Sequence, residues 1–441
     1  MITPHLDPAP LPKSYSPGTP APATTALGAT LETDVAVIGA GIAGLSCALH
    51  LRELGHSVAV LEAGEVGAGG SGRAFGLVLP YAKRDHDEIR RAFGEEAGGR
   101  IVDAVASGPD LVFDLISRHG IACEATRQGW IFGAHTRASL ARIATLAAYW
   151  QGRGAPVECL DADATERLVG GRYYLGALFD RRAGGVNPHA YTRGLARAAS
   201  GLGVRIFTQS RATRLVREGA RWRVRAGVGA GMGSVLARQV VIATDAYTDD
   251  LWPGLKRSIV PVRAYQLVSE PLSENLRAAI LPQRQLLTDT RTLYAGVRLR
   301  EDGRLQMSVD GPSFSIGGRA NIAKAERKIR SLFPQIGDIR WAEEWSGWVG
   351  MTKDHLPHLH LLAPDLWAAI GFNGRGIALA TLVGRDVARR LAGFAERELC
   401  LPVTKLAPIR GHSLLRPLLE GLIDWYRLRD ALEFRRLPSG R

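Results

Sequence analysis

The stretch Asp34–Gly64, DVAVIGAGIAGLSCALHLRELGHSVAVLEAG, decides the fold. Val35–Ile38 read as an apolar strand. Gly39, Gly41 and Gly44 follow at the spacing G-x-G-x-x-G, and an amphipathic helix runs on through His50–Leu54. Gly55 ends that helix, because glycine takes left-handed backbone angles without a Cβ clash. Ser57–Leu61 return as a second strand, with Glu62 at its carboxyl end. Each glycine answers a different demand: Gly39 a tight turn, Gly41 the approach of a pyrophosphate to the backbone, Gly44 close packing of helix on strand. The helix N-terminus offers N–H groups to phosphate, and Glu62 accepts a ribose hydroxyl. With strand, helix and acid in register, the segment predicts a dinucleotide site. Gly227–Gly233, GVGAGMG, is also glycine-rich, but it lies between the strand-like Trp222–Arg225 and Val235–Ala243 with no helix after it. It reads as a hairpin turn.

A chain of 441 residues, 46% hydrophobic and 22% charged, suffices for two or three structural units around a large core. No apolar run reaches the roughly 18 residues of a membrane helix. The first 30 residues are rich in Pro, Ala and Thr and lack a basic-then-apolar signal pattern. They read as an arm that hugs the surface or stays flexible, and the protein as cytoplasmic. Cys47, Cys123, Cys159 and Cys400 are too scattered for a zinc or iron–sulfur site and predict reduced thiols. The net charge of +13 raises the question of nucleic acid, but the arginines are spread along the chain rather than clustered. Nucleic acid is therefore not the expected partner.

Further along, Glu65–Lys83 form a long glycine/serine loop with one arginine, Arg73, suited to a pyrophosphate. Asp85–Gln151 has helical periodicity and reads as part of a second domain. Asn187 caps a helix that carries Pro188 at its first position. Short strands follow, then the buried strand QVVIATDAYT, Gln239–Thr248. Val260–Val309 read as strands with a hairpin at Asp302-Gly303, and Ala320–Phe333 as an amphipathic helix stopped by Pro334. A final strand (Ala368–Phe372), glycine loop and helix (Ile377–Leu391) place a second helix N-terminus where it can face a ligand.

The ordered set GAGIAG…LEAG, GSGRAFG, VVIATDAYT, DHLPHL and GFNGRGIALAT resembles the D-amino-acid-oxidase-like family of FAD-dependent oxidoreductases. The likeness runs from about Glu32 to Gly393 and is nearest to the gamma-glutamylputrescine-oxidase-like members of the glycine/sarcosine oxidase group. It implies an α/β fold: a discontinuous Rossmann-like, glutathione-reductase-like FAD-binding domain over 31–84, 155–255 and 345–398. A mixed-sheet and helical substrate domain would cover 85–154 and 256–344, with an arm at 1–30 and a helical tail at 399–441. Gly39, Gly41, Ile42, Ala43, Gly44, Glu62 and Ala63 would then hold the ADP half of FAD. Ser71, Gly72 and Arg73 would line the pyrophosphate, Ala212 the adenine, and Ala243 and Thr244 a cofactor wall. Gly371, Asn373, Gly374, Arg375, Gly376 and Ile377 would lie along the isoalloxazine, where a helix N-terminus and Arg375 stabilise negative charge.

Departures from the family matter as much. Gln306 and Ala378 stand at positions where sarcosine-oxidase-like members carry lysines, and Trp345–Thr352 lacks the cysteine of a covalent flavin. The expected cofactor is thus non-covalent FAD. Arg375, Gln306, Trp348 and Tyr265 are the catalytic-side candidates, with Arg263 and Arg298 beside them. His355, His358 and His360 sit in a family-like turn, and no metal is expected. Trp341, Trp345 and Trp348 read as core packing rather than an ammonium cage. The resemblance implies hydride transfer from an amine or amino-acid α-carbon to flavin N5. The imine is then hydrolysed, and oxygen reoxidises the flavin to give hydrogen peroxide. A gamma-glutamylputrescine-like compound is one candidate substrate. The alternatives are an amine dehydrogenase that passes electrons to a quinone or carrier, and a flavoprotein that binds tRNA or another polyanion. Leu414–Leu432 is amphipathic; it reads as a helix docked on its own domain, with a membrane-surface or partner helix as the alternative.

Overall fold

The computed structural model describes residues 11–12, 19–227, 232–291, 295–310, 318–412 and 425. They form two compact units. The first gathers the described residues of Met1–Ala125, Val186–Val262 and Gly347–His412, the second those of Thr126–Gly185, Arg263–Ser346 and Ser413–Arg441.

In the first unit, Thr30–Ile38 pairs in parallel with Val58–Leu61 on one side and Gly233–Ile242 on the other. Arg205–Phe207 and Leu366–Ile370 extend this parallel core outward. Valine, isoleucine and alanine fill the middle strands because both faces are covered, and Val35, Val37 and Ile38 are buried. The registers Ile38↔Leu61, Leu61↔Phe207 and Ile38↔Ile242 bring the strand ends level at one edge. Ala212–Glu218, Arg221–Ala226 and the amino half of Gly233–Ile242 form an antiparallel meander. The expected hairpin tip falls on 228–231, outside the described residues.

The first helix, Ile42–Glu53, is buried on every side from Ile42 to Leu51, not amphipathic as the sequence suggested. The last helix, Gly376–Leu391, and the helix Pro188–Gly201 cover it. A Cβ on Gly384 would lie 2.5 Å from the Ala43 carbonyl oxygen, so glycine lets the first and last helices touch backbone to backbone. Ser46 Oγ donates to Thr381 O at 2.7 Å across the same contact. As expected, Asn187 Oδ1 caps the helix Pro188–Gly201, accepting the Ala190 N–H at 3.1 Å. Arm residues 19–29 lie along this unit: Leu27 is buried and its N–H donates to Ser210 Oγ at 2.8 Å.

The second unit holds most of an eight-stranded mixed sheet in the order Trp341–Met351, Val260–Pro271, Arg304–Asp310, Gly296–Leu299, Leu286–Asp289, Trp130–Ala134, Gly176–Asp180, Val157–Leu160. Leu286–Asp289 runs parallel to Trp130–Ala134, and the Asp302-Gly303 hairpin joins antiparallel strands as expected. One face carries Leu267, Met307, Val297, Ile131 and Phe179 against Ile329 and Leu332 of the helix Gly318–Leu332.

Several sequence expectations change. Residues 85–125 group with the first unit, because Gly108 packs on Ala378 and Ile121 on Gly194, closer than any Cβ at Gly194 would allow. Residues 155–185 group with the second, because Val157–Leu160 and Gly176–Asp180 are strands of its sheet. The stretch expected to be helical contains the strand Trp130–Ala134. The glycine/serine loop holds one helical turn, Gly70–Arg73. In the expected helical tail, Val403–Thr404 is instead a strand beside His358–Ala363; the amphipathic stretch beyond it lies outside the described residues, Trp425 aside. No helix among the described residues is long and apolar enough to cross a membrane.

Candidate active site

Five parallel strands of the first unit end at one edge, followed by Gly39, Glu62, Thr208, Ala243 and Gly371, all but Thr208 within the motifs above. The carboxyl edge of an open α/β sheet is where such folds bind ligands. Gly39 has φ 108°, and a Cβ there would lie 2.8 Å from Ala243 O. A Cβ on Gly44 would lie 2.1 Å from Gly39 O, so only glycine lets the helix start this close to the turn. Gly41 forms the N-cap of the first helix, with no side-chain cap and no acid in its first turn. The Ile42 N–H donates to Ser71 Oγ at 3.0 Å, tying the Gly70–Arg73 turn to the helix start. Arg73 is buried, its Nε donating to Ala68 O at 2.7 Å. A Cβ on Gly72 would lie 2.1 Å from Gly67 O.

Glu62 anchors the turn. Its Oε2 accepts the Ala40 N–H at 2.8 Å and its Oε1 the Gly64 N–H at 2.9 Å. Burial pushes its carboxyl up, against the backbone N–H groups of Gly64, Ala40 and Ala63. Ala212 opens its strand as a buried core residue opposite Ala226, and Ser210 stands nearer, its N–H donating to Glu62 O at 2.7 Å.

On the far side of the edge, Gly371 (φ 85°), Asn373 (φ 53°) and Gly374 (φ 78°) shape the loop before the last helix. Asn373 is buried; its Oδ1 accepts the Thr352 N–H at 2.9 Å and its own N–H reaches Gly350 O at 3.1 Å. Arg375 is the N-cap, and Gly376 and Ile377 begin a helix with no side-chain cap and no acid in its first turn. Ala243 N–H donates to Ile38 O at 2.8 Å, and Thr244 Oγ1 pairs with Thr248 Oγ1 at 2.7 Å. The Trp348 backbone N–H donates to the Tyr247 hydroxyl at 3.3 Å.

Sequence reasoning passed over Asp245, next to Ala243 and Thr244. It has φ 43°, and its Oδ1 accepts the Gly371 N–H at 2.7 Å. Burial pushes this carboxyl up, while N–H groups of Gly371, Ala246, Phe372 and Gly350 oppose the shift. The signal was the residue type, since Asp tolerates positive φ where a strand turns sharply. His189 was also missed: its ring packs on Gly67 and Gly72, and burial lowers it to about 4, helped by Arg193 and Arg73.

The second unit holds the remaining candidates. Gln306 is buried between Arg298, whose Nε donates to Gln306 Oε1 at 2.8 Å, and Gln266, whose Oε1 accepts from Gln306 Nε2 at 3.3 Å. Tyr265 pairs with Val309 and belongs to the apolar face, opposite the one that carries Gln266 and Gln306. Arg263 lies over the Tyr265 ring and donates to Ser346 Oγ at 3.0 Å. Trp345 is buried, and Trp341 packs on the apolar core of this unit. In the first unit, His358 pairs with Asp354 at 3.0 Å and stacks on His360, whose Nδ1 meets Thr404 O at 3.1 Å. Burial alone would raise Asp354; the hydrogen bond and charge of His358 bring it down to about 2.

A glycine turn under the start of the first helix, an acid at the second strand end and a second helix start without a side-chain cap beside the same edge define a dinucleotide-binding α/β fold. The glycine cradle leaves room where any Cβ would intrude, and Glu62 offers the acceptor that an adenosine ribose needs, so these residues fit FAD.

The sequence model of the DAO family, FAD dependent oxidoreductase, matches residues 34–390, and the chain belongs to this family. It is 31% identical over 413 residues to a gamma-glutamylputrescine oxidoreductase of Escherichia coli (strain K12), spanning 92% of this chain and 95% of that one. It is 29% identical over 405 residues to a probable oxidoreductase OrdL of Haemophilus influenzae, spanning 90% of this chain and 92% of that one. The crystal structure of glycine oxidase from Geobacillus kaustophilus superposes with a TM-score of 0.70 at 22% identity, covering 86% of this chain and 100% of that one.

Proposed function

We propose that the protein oxidises a C–N bond of an amine or amino acid. The observation that carries this reading is the likeness to a gamma-glutamylputrescine oxidoreductase along nearly the whole of both chains. The FAD cradle of the first unit supports it. When bound, FAD supplies the acceptor for the hydride that leaves the substrate carbon. The Gly39–Gly44 turn and the first helix would hold its pyrophosphate, with Ser71, Gly72 and Arg73 beside it, and Glu62 its ribose. The Gly371–Ile377 loop and the last helix would stabilise negative charge on the reduced ring. Arg375 and Trp348 are the proposed flavin-side residues, and Gln306, held by Arg298, is proposed for the substrate side. The oxidised substrate is an imine, which water hydrolyses to a carbonyl and an amine. Oxygen or an electron carrier takes the two electrons. With its four cysteines free, the protein suits a reducing compartment such as the cytoplasm.

The test is product formation from gamma-glutamylated diamines, N-methyl amino acids and D-amino acids, with the carbonyl trapped by a hydrazine reagent. Turnover in air with peroxide release makes the enzyme an oxidase; turnover only with an artificial acceptor makes it a dehydrogenase. No carbonyl from any C–N substrate under either condition contradicts the proposal.

A further inference from the structure

Asp245 joins three segments of the first unit. The turn that carries it follows Gly233–Ile242, and Ala243 in that turn sits against Gly39 of the phosphate turn. The Asp245 carboxylate reaches the other way. Oδ1 accepts the Gly371 N–H at 2.7 Å, and N–H groups of Ala246, Phe372 and Gly350 complete its shell. The approach to Gly350 is close: a Cβ there would lie 2.6 Å from Oδ1. Among the described residues no ion pair to Asp245 is found, and the groups that hold its carboxylate are backbone N–H groups. The residue is half-buried, but its carboxyl lies deep among protein atoms.

Two consequences follow from this arrangement. The N–H groups of Gly371 and Phe372 are committed to Asp245, and Asn373 is locked by Thr352 and Gly350. The loop is therefore held by the protein's own groups, and the start of the last helix offers N–H groups to a ligand. A carboxylate without a counter-cation is also felt through a low-dielectric interior, where it opposes further negative charge.

We propose that Asp245 is a positioning residue for the flavin site: it fixes the Gly371–Arg375 loop, and its charge sets the bound flavin against reduction. This rests on the FAD reading above. Asp245→Asn keeps one oxygen for the Gly371 N–H and removes the charge, whereas Asp245→Ala removes both. Asp245→Asn turns an amide NH2 toward N–H groups that a carboxylate oxygen accepted, so it is expected to bind FAD more weakly than wild type but more tightly than Asp245→Ala, and to shift the flavin midpoint potential to a more positive value. Asp245→Ala is expected to weaken FAD binding at least about tenfold. A more positive potential in the Asn variant, at an affinity above that of the Ala variant, is a pattern that mere structural support would not produce. If wild type binds FAD and Asp245→Asn has the wild-type potential, the charge assignment is wrong. If Asp245→Ala binds FAD as tightly as wild type, the positioning assignment is wrong. Should the Ala variant fail to fold, the potential of the Asn variant still decides. A wild-type protein that takes up no FAD overturns the flavin reading, and this assignment with it.

Discussion

Gly44 and Glu62 show how single positions carry the cradle. A methyl group at Gly44 would sit 2.1 Å from Gly39 O, and neither backbone segment can yield without moving the strand or the helix. Gly44→Ala is expected to destabilise the first unit by about 1–3 kcal/mol or more. It should also empty it of flavin, as read by melting temperature and FAD content after gel filtration. Glu62→Ala leaves the Ala40 and Gly64 N–H groups without their acceptor. FAD affinity should fall at least about tenfold while Glu62→Gln, which keeps one acceptor, falls less. Fluorescence titration with FAD measures both. Gly44 was legible in the sequence because its constraint is local, a close approach to Gly39 that only glycine permits; Glu62 was legible because it ends the strand that follows the first helix. Asp245 was not, because its partners Gly350 and Gly371 are brought to it by two strands more than a hundred residues further along the chain.

The parallel core of the first unit was readable from its apolar runs, and the Asp302-Gly303 hairpin from its turn residues. The strand Trp130–Ala134 was lost inside a helical stretch because five mostly apolar residues carry no usable period. The all-round burial of the first helix was hidden for a related reason. Its cover is supplied by Gly376–Leu391, more than three hundred residues away in sequence. In the second sheet, strand alternation sorts Tyr265 into the apolar face and Gln266, Gln306 and Arg298 onto the other. Gln306→Leu would leave the buried Arg298 Nε–H and the Gln266 carbonyl without their partners. It is expected to cost about 2–3 kcal/mol, seen as a lower urea midpoint at unchanged m value. An unchanged midpoint would mean that the network contributes nothing to stability.

Across the whole molecule, two buried imidazoles link stability to pH. Burial lowers both His189 and His360 from 6.5 to about 4. Arg193 and Arg73 add to the shift at His189; at His360 the hydrogen bond to Thr404 opposes it and His358 adds to it. Between those values the unfolded chain binds protons that the native protein does not. Their contribution is complete above pH 6.5 and is lost as pH falls toward 4, about 1–2 kcal/mol for each by pH 5. The melting temperature should drop from pH 7 to pH 5, and less steeply in His360→Gln; a slope identical to wild type would remove His360 from the account. The division into two units was the least legible feature at this scale. It depends on Gly108 against Ala378 and Ile121 against Gly194, contacts that no local pattern encodes.

The central claim, an FAD enzyme acting on C–N bonds, is tested most directly by anaerobic titration of the purified protein. Gamma-glutamylated diamines, polyamines, N-methyl amino acids and D-amino acids would be added in turn while the visible flavin absorption is followed. The account predicts that the protein carries FAD, released intact by heat because it is not covalently bound, and that one of these classes bleaches it. A protein that holds FAD and is bleached by dithionite but by none of these amines would contradict it.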